Sequence, residues 1–103
     1  PEGEFFTSVE EFQVPENKVK LFQNYPNPCI DQSIIGFELP EKLQIKLEVF
    51  NSGGFKIATL ADQELSQGYY ELKLNTAILK PGAYVYMLTT KYGKESLTMI
   101  VTK

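Results

Sequence analysis

From Leu21 onward, hydrophobic and polar residues alternate at every second position. Ser33 to Leu39 places Ile35, Phe37 and Leu39 on one face, Gly36 and Glu38 on the other. Leu43 to Phe50 is cleaner still, with Leu43, Ile45, Leu47 and Val49 set against Gln44, Lys46 and Glu48. Two residues is the side-chain repeat of a strand, and the apolar/polar split means one face buried and one in water. Asn51-Ser52-Gly53-Gly54 reads as a turn, because glycine takes positive φ without steric cost. Phe55 to Leu60 is then the returning strand of a hairpin. Gln67-Gly68 is a second turn, after which Tyr70, Leu72 and Leu74 alternate with Tyr69, Glu71 and Lys73. Lys80-Pro81-Gly82 suits a type II turn, with proline presetting φ and glycine taking the positive-φ position. It opens Ala83 to Lys91, apolar on both faces (Tyr84, Tyr86 and Leu88 against Val85 and Met87), which predicts a central strand. Tyr92-Gly93-Lys94 turns the chain into a last strand, Glu95 to Thr102, with Leu97, Met99 and Val101 facing inward.

Adding a short strand near Leu21–Asn24, with turn signals about every 8–12 residues and nothing long and helical, predicts an all-β fold. The expected architecture is an Ig-like antiparallel β-sandwich of about seven strands. A small barrel is the runner-up, and a doubly wound α/β fold lacks the crossover helices it needs. Residues 1–20 break the pattern. They hold five glutamates among Phe5, Phe6, Val9, Phe12 and Val14, and Pro15 stops any helix early. They are expected to be a linker or the tail of a preceding region, the alternative being an extra edge strand. Residues 21–103 are expected to form the domain.

Composition mainly excludes. The chain has 103 residues, enough for one domain and too few for two. Ten lysines, no arginine and thirteen acids give a net charge of −3, which argues against nucleic acid as a partner. Histidine is absent, which removes Ser-His-Asp and Cys-His catalysis and nearly all zinc chemistry. The lone cysteine, Cys29, has no internal partner and no histidine to activate it, so a packing role is expected. No apolar run approaches the ~20 residues of a transmembrane helix. Pro1 to Glu16 carries acids where a signal peptide would carry a basic start and an apolar stretch. A chain opening Pro-Glu-Gly-Glu without methionine reads as a piece of something longer.

Chemistry-bearing groups are sparse. Asp31, Asp62 and Glu64 are the candidate metal ligands, but no calcium-loop pattern surrounds them, and Asp62 and Glu64 read as solvated loop residues. No metal or cofactor is expected. Gly53-Gly54 lacks the lysine-serine of a phosphate loop and precedes a strand. No acid/base or nucleophile constellation is visible, so an enzyme is not expected. Tyr69 points to the solvated side and could stack on a sugar ring, which keeps a carbohydrate-binding or adhesive module as the alternative function. Tyr84 and Tyr86 share a face of the central strand and are expected in the core, their hydroxyls partnered at its edge. The segment Asn24-Tyr25-Pro26-Asn27-Pro28 reads as a stiff, extended lead-in without two backbone donors, its Asn27 side chain free to bond nearby backbone.

From Leu21 to Lys103 these pieces resemble the C-terminal sorting domain of the type IX secretion system, the export route of Bacteroidetes and their relatives. Tyr25-Pro26-Asn27-Pro28 is similar to the family's opening Y-P-N-P. Ile35-Gly36-Phe37-Glu38-Leu39-Pro40 resembles its second strand, and Leu47 to Ile57 its strand, turn and strand, with Gly54 at the characteristic glycine. Leu65-Ser66-Gln67-Gly68-Tyr69-Tyr70 fits the next element. Pro81-Gly82-Ala83-Tyr84 carries the G-x-Y signature, and Met99-Ile100-Val101-Thr102-Lys103 resembles the terminal apolar run closed by lysine. Thr98 stands where the family commonly has a basic residue, and the nearest upstream lysine is Lys94.

The resemblance implies a non-catalytic export signal attached to an N-terminal cargo. It implies folding in the periplasm, recognition by the outer-membrane translocon, and removal by a sortase-like surface protease that cuts before Leu21. The cargo would end on the cell surface or outside the cell. The sorting-motif residues carried over are Tyr25, Pro26, Asn27, Pro28, Gly54, Gly68, Gly82, Tyr84, Met99, Val101 and Lys103. A compact sandwich would present its last strand to be read, with strand addition at an exposed edge as one route.

Overall fold

The computed structural model describes residues 19–103; the aromatic- and glutamate-rich residues 1–18, most of the expected linker, lie outside them. Seven strands follow in order: β1 (Lys20–Leu21), β2 (Gln32–Leu39), β3 (Leu43–Asn51), β4 (Lys56–Leu65), β5 (Gly68–Asn75), β6 (Gly82–Thr90) and β7 (Gly93–Val101). A 3-10 turn, Thr76–Ile78, sits between β5 and β6. The strands form two antiparallel sheets, β1-β2-β5 and β4-β3-β6-β7. This is the expected β-sandwich.

The inner faces are those the alternation selects. Ile35, Phe37 and Leu39 of β2 meet Leu43, Ile45, Leu47 and Val49 of β3, Tyr86 and Leu88 of β6, and Met99 and Val101 of β7, all buried. Tyr70, Leu72 and Leu74 of β5 and Leu97 of β7 pack against this core, half-buried. β6 is central in its sheet, between β3 and β7. Its second apolar face, Val85 and Met87, is half-buried on the outside of the sheet.

Two expectations need correction. The strand read as Phe55–Leu60 runs on to Leu65, so Asp62 and Glu64 are strand residues rather than loop residues. The alternation is hidden there because the ladder to β3 shifts register twice. Glu48 pairs with Thr59 while Leu47 pairs with Ala61, and Val49 with Ala58 while Phe50 pairs with Lys56. Leu60 and Ile57 are therefore extra residues on β4, and each bulge flips the inside/outside parity. The short first strand is also displaced. It covers only Lys20–Leu21, and beyond Phe22 the chain touches β2 through one isolated bridge, Tyr25 to Ile34. Pro26 and Pro28, both preceded by cis peptide bonds, supply no N–H to prolong the ladder.

The topology gives the sandwich two distinct ends. Residues 25–31, the β3–β4 hairpin, the β5–β6 connection and the end of β7 gather at one, the Tyr25 end. The β2–β3, β4–β5 and β6–β7 turns gather at the other, the Tyr92 end. Because Lys20 pairs with Glu38 and Leu21 with Phe37, the chain enters the domain at the Tyr92 end.

Candidate functional site

Ten of the eleven residues singled out in the sequence converge on the Tyr25 end. Tyr25, Pro26, Asn27 and Pro28 arrive there from the lead-in, Gly54 from the β3–β4 hairpin, Gly82 and Tyr84 from the start of β6, and Met99, Val101 and Lys103 from the end of β7. Gly68 opens β5 opposite Leu39, at the other end.

The lead-in and the last strand are tied together directly. Asn27 Oδ1 accepts from the Ile100 N–H at 2.8 Å. The Cys29 N–H donates to Ile100 O at 2.9 Å, and the Thr102 N–H donates to Cys29 O at 2.8 Å, a parallel bridge between Cys29 and Val101. Gln23 Nε2 donates to Thr98 O at 2.7 Å. Asn27 thus bonds backbone 73 residues away rather than its own neighbourhood. With both backbone groups of Ile100 in use, the end of β7 is not an open edge. Strand addition there is excluded while the lead-in is in place. Cys29 itself is buried in the core with Sγ 3.4 Å from Ile100 O, the packing role expected of it.

A buried polar network holds the lead-in onto the core. Asn24 is 2% exposed; its Nδ2 donates to Ser33 Oγ at 2.8 Å and to Pro26 O at 3.1 Å, and Ser33 Oγ donates to Pro26 O at 3.0 Å. The Tyr86 hydroxyl accepts from the Asn24 N–H and donates to Phe22 O, each at 2.7 Å. Burial pushes the Tyr86 phenol up to about 12, against a smaller lowering by the Asn24 N–H. The Tyr84 hydroxyl donates back to Lys80 O at 2.7 Å, the tyrosine corner familiar at the corresponding strand of Ig-like sandwiches. Both core tyrosines are therefore partnered, as expected.

The remaining loops lock onto the same end. Thr76 and Ala77 donate their N–H groups to Asp31 O at 2.9 and 3.0 Å, and buried Thr76 adds Oγ1 to Ile30 O at 3.2 Å. Lys103 Nζ reaches Ala77 O at 2.8 Å and Thr76 O at 3.3 Å. In the hairpin, Asn51 Oδ1 accepts from the Gly53 and Phe55 N–H groups, and Gly54 sits at φ +86, a conformation open to glycine.

Elsewhere the candidates are less organised. Tyr69 is 55% exposed, but its hydroxyl donates to Glu71 Oε2 at 2.9 Å, and that carboxylate raises its pKa. Its ring meets Phe22 at 5.9 Å and covers Gly36, where a Cβ would lie 2.5 Å from the Tyr69 oxygen. Asp62 accepts from Gln44, and Glu64 lies 3.8 Å from Lys42 on the outer sheet surface. Among the described residues no three His, Cys, Asp or Glu side chains are grouped to hold a metal, and no helix is long and apolar enough to cross a membrane.

Residues 23–102 match the family model of the secretion system C-terminal sorting domain. The chain belongs to this family. No curated protein matches it closely enough to count as a relative. A sorting domain of this family is a C-terminal signal for type IX secretion, engaging that system on behalf of a linked cargo that travels across the envelope to the surface or beyond. The matched stretch begins with the lead-in and ends with the last strand, the two segments that the hydrogen bonds above join. Asn24, Ser33 and Thr76 are the sorting-domain residues that sequence reasoning missed. For Ser33 a cue existed: it stands on the inward side of the Ser33–Leu39 alternation. Asn24 and Thr76 carried none, because their partners come from remote segments.

Proposed function

We propose that residues 21–103 act as a non-catalytic export label whose readable form is the assembled Tyr25 end. The cargo leaves the fold at the other end, through the segment before Leu21. In this reading the domain folds in the periplasm and is bound by the outer-membrane translocon. A surface protease then cuts in the segment before Leu21. The observation that carries the reading is the family match across 23–102. It is supported by the gathering of the sorting-motif residues, far apart in sequence, at one end of the sandwich.

In this reading the residues of the label have separate roles. Met99 and Val101 anchor the last strand in the core. Asn27 and the Cys29 backbone close its outer side, and Lys103 fastens the residues beyond it to the 3-10 turn. Gly54, at φ +86, lets the β3–β4 hairpin turn tightly at this end, and Gly82, at φ +151, opens β6 there in a conformation that favours glycine. No step in this scheme makes or breaks a covalent bond within the domain.

The test is a periplasmic reporter carrying residues 1–103 at its C-terminus, in a host with the type IX apparatus. Reporter on the surface or in the medium is the expected result, and retention in the periplasm overturns the reading. Lys103→Ala should lower export without unfolding the domain, since the side chain lies outside the core.

A further inference from the structure

The Tyr25 end also carries the largest concentration of uncovered apolar side chains. Among the described residues the three most exposed large hydrophobics are Ile78, Tyr25 and Phe55, at 78%, 77% and 71%. All three are at this end, and Ile30, at 54%, joins them. They come from three different segments: the lead-in, on either side of its prolines, the β3–β4 hairpin and the 3-10 turn. Ile30 also lines a shallow hollow with Pro26, Pro28, Asp31 and Gln32. Single exposed hydrophobics are ordinary, but several gathered in one region mark an interaction surface.

Two further observations choose the occupant. The chain enters at the opposite end, roughly 25 Å away along the eight residues of β2. The point of cargo attachment thus lies at the end away from these side chains. Each exposed side chain is also carried on backbone fixed by hydrogen bonds: Thr76 Oγ1 to Ile30 O, Asn51 Oδ1 to the Phe55 N–H, Tyr25 to Ile34, and Lys103 to the 3-10 turn. A rigid apolar relief built from remote segments suits a complementary protein pocket. A lipid surface would need apolarity without fixed shape.

We infer that Tyr25, Ile30, Phe55 and Ile78 form the docking face for a protein of the secretion apparatus, one offering an apolar pocket, and that this face exists only in the folded domain. The inference rests on the sorting reading above. It differs from recognition of a linear tail, because all four of its contact residues lie outside the last strand.

The experiment uses the same reporter fusion with Tyr25→Asp/Ile78→Asp, and with Tyr92→Asp as a control at the other end. A carboxylate forced into an apolar interface should cut the exported fraction about tenfold or more, with an unchanged thermal midpoint and normal export of the control. Should the aspartates unfold the domain, Tyr25→Ser/Ile78→Ser is to show the same export loss at native stability. Export of either folded variant at the unaltered level overturns the inference while leaving the sorting reading intact. Retention of the unaltered fusion overturns both. Two other results would also overturn it by assigning the face elsewhere. One is binding of the purified domain to phosphatidylethanolamine/phosphatidylglycerol vesicles that Ile78→Asp abolishes. The other is a dimer in sedimentation that Ile78→Asp dissociates.

Discussion

The two ends of this sandwich are built on different physics. At the Tyr92 end, tight turns are decorated with charge: Lys91 lies 3.7 Å from Glu41 and Lys42 3.8 Å from Glu64, all of them at the surface. The Tyr92 hydroxyl donates to the same Glu41 carboxylate. Among the described residues no remote segment is threaded into these turns. At the Tyr25 end the chain brings in a lead-in with two prolines, buries Asn24, Ser33 and Thr76 beneath it, and fastens it to the last strand. Buried hydrogen bonds act in a low dielectric and leave costly orphans when broken, whereas exposed ion pairs are screened by water and salt. One end is thus held by desolvated, geometry-specific contacts and presents apolar groups outward. The other is held by its hairpins and presents charge.

The largest expected effect tests whether the last strand is core or ornament. Met99→Ala at a fully buried position should cost about 2–5 kcal/mol in urea denaturation. Leu97→Ala, on the same face but half-buried and two residues nearer the Tyr92 end, should cost about 1 kcal/mol. Equal costs would mean that the anchoring of β7 does not strengthen toward the Tyr25 end.

Next in size is the polar network. Tyr86→Phe leaves Phe22 O and the Asn24 N–H without their 2.7 Å partner, and should cost about 1–3 kcal/mol. The pH profile separates this from simple loss of packing. The folded protein keeps the Tyr86 proton to about 12, while the unfolded chain releases it near the usual 10.0. Above the unfolded value the native state therefore binds more protons than the unfolded one, and stability falls as pH rises. The contribution is complete below pH 10 and lost on approaching 12. The wild-type protein should lose stability across that window more steeply than Tyr86→Phe, measured by denaturation at stepped pH. Parallel slopes would show that the hydroxyl is not buried in the network.

What the sequence disclosed follows from how local each constraint is. The alternations in β2, β3, β5, β6 and β7 are written residue by residue, since a buried sheet face demands a period of two. They yielded the sandwich, the central place of β6 and nearly the whole core. β4 is legible only as far as Leu60, because two bulges break its parity, and its second half carries Asp62 and Glu64 on an edge strand rather than in a loop. The motif residues were visible as residues, but their meeting at one end was not, because period-two reading says nothing about which ends of strands lie together. Asn27, expected to bond nearby backbone, instead accepts from the N–H of Ile100. The buried Asn24 was hidden for the same reason: a polar residue in a proline-rich segment looks solvent-facing until a remote tyrosine closes over it.

The smallest effect sharpens the comparison most. Lys91→Ala removes an ion pair whose side chains are 65% and 39% exposed, together with an ammonium 5.3 Å from the Tyr92 ring centroid. Such surface pairs contribute about 0.2–1 kcal/mol, and cations over exposed aromatic rings little more. The loss should shrink further at high salt, where a Debye length of about 3 Å at 1 M screens it. Asn27→Ala removes a single bond to Ile100 and should cost about 1 kcal/mol, with no comparable salt dependence because the interaction is local and directional. Denaturant midpoints of both variants at low and high salt decide the matter. If Lys91→Ala proves the costlier and salt leaves it unchanged, the charged end is a structural clamp in its own right. If only the Asn27 variant holds its deficit in salt, and hydrogen exchange at Ile100 quickens with it, the lead-in is what keeps the last strand closed.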